Sequence, residues 1–221
     1  MSAMHLGDAV AALDAEYAAI DAAVADLTED DLLAPSGSRG WSRGDLLFHM
    51  LLDAQRALVT LHSPAPGPAD TDFVSYWRGF SSSDEAARAH ARFVRLSTAA
   101  HSSLEKLAGR WSETSGAARR AAASARDGFV TTQGHVLSTA DFLATLVVEA
   151  TIHHLDLVES PPPAPAAVAL TTATLDGLLG APRPPHWDDA SYLRKATGRD
   201  RLDDADRAAL GDAAGSLPLF S

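Results

Sequence analysis

Asp141–Val158 reads DFLATLVVEATIHHLDLV, a mostly apolar stretch that carries Glu149, His153, His154 and Asp156. Its length and composition suit a helix buried on most sides. On such a helix Glu149 and His153 are four residues apart and share one face. Asp156 stays near that face, whereas His154 turns about 100° away from its neighbour. An ionised carboxylate on an apolar helix is costly unless a cation or a donor meets it. One partner is a metal ion, for which Glu-x-x-x-His is a workable spacing. The plain alternative is that Glu149 and His153 satisfy each other, or an arginine, in a polar pocket.

Upstream, the Ser138-Thr139-Ala140-Asp141 segment has the Ser-x-x-acid form of a helix start. Asp127–Leu137 is broken by glycine and rich in β-branched residues, so an extended pair or a loop is expected. Ser112–Arg126 is weakly patterned and expected to be partly helical. The apolar spacing predicts a long helix over Asp84–Trp111, with Ser81–Asp84 supplying its N-cap. His90 and His101 on it would be about 16 Å apart, too far to share one ion. Phe73, Tyr76 and Trp77 either line a pocket or cover a core edge, and the second is the default expectation.

Further towards the N-terminus, Ser42-Arg43-Gly44-Asp45 is a second capping signature. It opens a helix running to Leu61, with His49 mid-helix among Phe48, Met50, Leu51 and Leu52. Asp53 and Arg56 share the His49 face. A lone histidine there is more often a hydrogen-bonded core residue, and becomes a ligand only if another helix brings partners to it. Asp8–Leu27 is an amphipathic first helix, and Thr28 can cap a further turn before the Pro35–Gly40 loop.

Downstream, Ser160–Ala167 is a proline linker, where a boundary is placed between residues 1–160 and a small extension over 161–221. The extension is expected to hold helices over Val168–Leu179, Tyr192–Thr197 and Asp203–Ala214. It is too small for an independent core and should pack on the first part.

The 221 residues carry a formal net charge of -11 and no cysteine. Duplex DNA and anionic membranes demand concentrated positive charge, so neither is expected as a partner. Without cysteine, no thiolate of the chain itself can act, and sulfur chemistry needs a thiol from outside. No apolar run reaches the ~18 residues of a membrane span. With no basic and apolar leader at the N-terminus, a cytoplasmic monomer or weak dimer is expected.

The expected fold class is all-α, a four-helix bundle with a small C-terminal extension packed on it. Such bundles build metal sites from facing helices. His49, Glu149 and His153 would supply two nitrogens and a carboxylate, the ligand set of a zinc site with an open fourth position. Asp53 or Asp156 would orient a ligating imidazole.

Trp41-Ser42-x-x-Asp45-Leu46-x-x-His49 resembles the entry motif of the DinB-like superfamily, within it the N-terminal domain of mycothiol-dependent maleylpyruvate isomerases. Glu149-x-x-x-His153-x-x-Asp156-Leu157 resembles that family's second metal motif, and Tyr192–Phe220 is similar to tails of its relatives. The C-terminal part reads as shorter than a full second domain of these isomerases. The resemblance implies a divalent metal, usually zinc, on His49, Glu149 and His153. It also implies mycothiol as cosubstrate and a small electrophile as substrate. A metal-activated thiolate would then add to that electrophile, in a transferase or an isomerase. Arg56 and Arg194 are candidate cations for an anionic substrate, or else plain solvated charges. Two other readings stand beside this one: a metal-dependent hydrolase on the same bundle, and a non-enzymatic, stress-related binding module.

Overall fold

The computed structural model describes residues 4–78, 84–158 and 161–220. The expected cap at Ser81–Asp84 and the first residue of the proline linker, Ser160, lie outside the described residues.

Four long helices pack around one core: α1 (Leu6–Ala25), α3 (Arg43–Leu61), α6 (Leu104–Ala123) and α7 (Thr139–Leu157). The short α2 (Glu29–Leu33) precedes α3, and α4 (Ser75–Arg78) and α5 (Asp84–Ala99) lie between α3 and α6. Helix α7, the Asp141–Val158 stretch, is buried nearly all round by α1, α3 and the later α8 (Pro165–Leu179). Apolar side chains on every side of a helix require that surround. Among the described residues the protein is thus all-α apart from one hairpin, as its patterning predicts.

The helix starts follow the expected capping chemistry. Thr28 and Asp31 cap α2 reciprocally, and Ser42 and Asp45 do the same for α3. Ser138 accepts the Asp141 N–H at the start of α7. Each cap satisfies donors that a helix start leaves free.

One expected element divides. In place of a helix over Asp84–Trp111, the chain forms α5 to Ala99, a turn through His101–Ser103, and α6 from Leu104. The Ser103 side chain accepts the Lys106 N–H, and the Glu29 carboxylate accepts the N–H groups of Leu104 and Glu105. A carboxylate from a distant helix therefore caps α6, which the local apolar spacing does not reveal. The weakly patterned segment up to Ala123 belongs to α6 and is buried at Ser115, Ala118 and Ala122.

Strands β1 (Phe129–Thr132) and β2 (His135–Ser138) form an antiparallel hairpin. Gln133 and Gly134 make its tight turn, both at positive φ (47° and 82°). Two such residues match the twist of the flanking strands. The loop after α3 pairs onto β1 through Ser63 and Ala65, which holds the hairpin beside the bundle.

The C-terminal extension packs on the bundle. Helix α8 lies against α1 and α7, and Pro165 takes its first turn, where a missing N–H costs nothing. A second small core joins Ile152 of α7 to Leu175, Leu179, Trp187, Tyr192 and Leu193. It is completed by α9 (Asp189–Ala196) and α10 (Asp204–Leu210). The last residues dock as their apolarity suggests, with Phe220 stacked on Trp77 at 4.5 Å.

His154 is fully buried and ties these layers together. Its Nδ1 lies 2.8 Å from Glu16 Oε1, and Glu16 Oε2 accepts the Ala164 N–H at 2.7 Å. Its rotation away from His153 therefore serves the junction of α1, α7 and α8.

Candidate metal centre

Helices α3 and α7 face each other so that His49 meets Glu149 and His153. His49 Nε2 is 3.2 Å from Glu149 Oε1, and His153 Nε2 is 3.6 Å from the same oxygen. One ligand atom from each residue lies within 4.8 Å of the others. Donors about 2.0–2.1 Å from a tetrahedral ion stand roughly 3.3–3.4 Å apart. The separations around Glu149 Oε1 bracket that value, so the donor set fits a divalent ion.

Each imidazole is held at its other nitrogen. His153 Nδ1 is 3.1 Å from Asp156 Oδ2. That bond leaves Nε2 free to ligate, the carboxylate–histidine arrangement common around metals. Asp156 is itself fixed by Arg199, whose Nη2 donates to Oδ2 at 2.9 Å and Nε to Oδ1 at 3.2 Å. Ser38 Oγ donates to Oδ2 at 2.9 Å. The Gly37 N–H donates to the Asp156 carbonyl at 2.7 Å, and a Cβ at Gly37 would sit 2.7 Å from Asp156 Oδ1, so only glycine lets the loop approach.

His49 Nδ1 lies 3.3 Å from His90 Nε2, and Trp41 packs its ring on His49 at 5.2 Å between centroids. The Trp41–His49 motif thus combines a helix cap with a ring that backs the histidine two turns on. His90 comes from α5, another helix, and spacing along the chain could not bring it to the site. Its pKa is lowered by burial and by the neighbouring His49.

Asp53 does not reach an imidazole. It accepts from Arg56, whose Nε is 3.0 Å from Oδ1. Arg56 also donates to Gln133 Oε1 at 3.3 Å and to the Tyr76 hydroxyl at 3.4 Å, and its guanidinium lies over the Phe142 ring. The Tyr76 hydroxyl donates to Gln133, so the hairpin tip sits against a half-buried cation. Burial opposes the charge of Arg56, but Asp53, Tyr76 and Glu149 hold it protonated. The tail arginine that reaches the site's helix is Arg199. Arg194 offers its backbone carbonyl to the N–H groups of Arg199 and Asp200, with no side-chain hydrogen bond among the described residues.

Burial penalises the Glu149 carboxylate, yet hydrogen bonds from His153 and His49 hold its pKa well below the ordinary value. Burial also opposes a charged His153, and hydrogen bonds to Asp156 and Glu149 outweigh it, raising the pKa to about 9. For Asp156 burial is again outweighed, by His153 and Arg199, and the pKa falls far below the carboxylate range. A raised histidine contributes stability that is complete below its unfolded value, about 6.5, and lost as pH climbs through 9. A depressed carboxylate contributes above about pH 4 and loses its contribution on further acidification. Metal-free protein should therefore melt highest between roughly pH 5 and 6.5 and progressively lower towards pH 9. Thermal melts in chelator across that range check this, and a melting temperature that rises steadily to pH 9 contradicts it.

A bundle of this topology, with histidines and a glutamate converging from facing helices, is of the DinB-like class. A family model described as the mycothiol maleylpyruvate isomerase N-terminal domain matches residues 13–158. The chain belongs to that family. Two solved structures share its fold. The mycothiol-dependent maleylpyruvate isomerase superposes with a TM-score of 0.58 at 15% identity. A histidine-to-alanine mutant of a mycothiol-dependent maleylpyruvate isomerase gives 0.61 at 14%. Both matches cover 90% of this chain and 93% of the other. Aligned over 93% of each solved chain, this chain leaves little of their length unmatched, against the expectation of a shortened C-terminal part. No curated protein sequence matches the chain significantly. Among the described residues no helix is long and apolar enough to cross a membrane.

Proposed function

We propose that the protein is a metal- and mycothiol-dependent enzyme, an isomerase or S-transferase acting on a small electrophile. The observation that carries this reading is the convergence of His49, Glu149 and His153 on one point in a chain of the mycothiol isomerase family. These three residues would hold a divalent ion, with zinc the best match to two imidazoles and one carboxylate. Bound there, the ion supplies the Lewis acidity that deprotonates a thiol at neutral pH.

The chain's own residues have separate tasks. Asp156 holds His153 with Nε2 turned to the ligand position, and His90 does the corresponding work at His49 Nδ1. Glu149 enters as an anion, since its pKa lies well below neutral. Arg56, fixed by Asp53 and the Tyr76–Gln133 pair, is the cation we assign to an anionic group of the substrate. In an isomerisation the external thiolate adds to a double bond conjugated with a carbonyl, and the electron pair moves onto that oxygen. The carbon–carbon bond rotates, the pair returns, and the thiolate leaves unchanged. In a transfer the adduct is protonated and released.

Mycothiol and maleylpyruvate are the first pair to test with zinc-loaded protein. Turnover that requires both thiol and metal is expected, with loss of activity in chelator. Ester or amide cleavage without thiol would replace this reading by a hydrolase. Metal binding with no turnover of any thiol and electrophile would leave a binding module.

A further inference from the structure

We infer that one water molecule is bound in the centre of the bundle, directly behind Glu149, and that Trp111, Asp53 and Tyr17 position this glutamate through it. The functional part of the inference rests on Glu149 being the ligand proposed above.

The four bundle helices all contribute to a small cavity next to Glu149. Tyr17 comes from α1, Asp53 from α3, Trp111 from α6 and Glu149 from α7, with Met50 and Leu146 as apolar walls. The room for the centre of a water molecule is about 10 Å³. That is close to the space one water requires. Two polar atoms at this cavity have no partner among the described residues: Trp111 Nε1 and Asp53 Oδ2. Trp111 is fully buried and so cannot turn its N–H to solvent. Leaving a buried donor and a carboxylate oxygen both unmet is costly, and more so for the charged one. A dry apolar void has no such groups in its wall.

A water there accepts from Trp111 Nε1 and donates to Asp53 Oδ2. Its second hydrogen is available to Glu149, whose Oε1 is already engaged by His49 and His153 and whose Oε2 is the oxygen we assign to it. Tyr17 packs edge-on against Trp111, with ring centroids 5.4 Å apart, and sets the indole's tilt. Held from behind, the carboxylate cannot rotate Oε1 away from the two imidazoles. Asp53 also binds Arg56, so the same water joins the ligand to the hairpin-capped cation. Outer partners of this kind are worth about 10–100-fold in metal affinity.

The test is diffraction from zinc-loaded crystals to about 1.5 Å, with zinc affinity measured by chelator competition in Trp111→Phe, Asp53→Asn and Leu175→Ala. A water peak within hydrogen-bonding reach of Trp111 Nε1 and Asp53 Oδ2 is expected. Trp111→Phe should weaken zinc binding about tenfold. Leu175→Ala, in the second core and away from the cavity, should lower the melting temperature and leave zinc affinity unchanged. An empty cavity, or equal loss of affinity in Leu175→Ala and Trp111→Phe, overturns the inference. If Trp111→Phe does not fold, Asp53→Asn carries the comparison, since it changes the carboxylate oxygen the water donates to, and an unchanged zinc affinity there overturns the inference. Failure of the metal reading looks different: no variant or parent binds zinc, while the water peak is still present.

Discussion

His49→Ala protein is expected to bind no zinc at micromolar concentrations, while the parent binds one equivalent per chain. Loss of a direct ligand should exceed the roughly 10–100-fold that outer partners contribute. The remaining Glu149 and His153 lie on one helix and leave only two donors for the ion. The fold should survive, because His49 is half-buried at the edge of the core and its neighbours Leu46, Leu47, Met50 and Leu51 carry the packing. Elemental analysis of purified protein, alongside thermal melts, separates the two effects. One zinc per chain in folded His49→Ala would place the ion elsewhere.

Asp156→Ala should produce the largest loss of stability. The carboxylate is almost fully buried and meets His153, Arg199 and Ser38. Removing it leaves a guanidinium and an imidazolium without their counter-charge. Breaking one side of a buried pair typically costs about 3–5 kcal/mol. For a chain of this size that corresponds to a melting temperature lower by roughly 6–20 °C. The depressed pKa of Asp156 gives the sign: at neutral pH the ionised carboxylate stabilises the fold. The same substitution frees His153 Nδ1, so zinc affinity should also fall. A change below about 1 kcal/mol in metal-free protein at pH 6, typical of an exposed ion pair, would contradict this account of Asp156.

The legible parts of the sequence are those in which a short spacing fixes a physical relation. Ser42 with Asp45 and Ser138 with Asp141 announce the starts of α3 and α7. The four-residue step from Glu149 to His153 announces a shared helix face. The apolar surround of His49 announces burial, and the resemblance supplies the pairing of the two helices. What remained hidden depends on contacts between distant segments. The Glu29 carboxylate that caps α6 stands 75 residues before Leu104, and no local rule joins them. His90 reaches His49 across 41 residues from α5, a separate helix whose apolar spacing does not say which neighbour it packs on. Arg199 lies past the end of α9 and finds Asp156 only because the extension folds back on α7. Asp53 illustrates the opposite limit. Its place on the His49 face is readable, but the choice between an imidazole and Arg56 is settled by the guanidinium one turn further along.

The most direct measurement is anomalous diffraction at the zinc edge from crystals of the zinc-loaded protein. A single peak about 2.0–2.2 Å from His49 Nε2, His153 Nε2 and a Glu149 oxygen is predicted, with a fourth position open. A zinc-loaded crystal with no peak there, and with both imidazoles still hydrogen-bonded directly to Glu149, would show that the three residues form a structural ion-pair network instead.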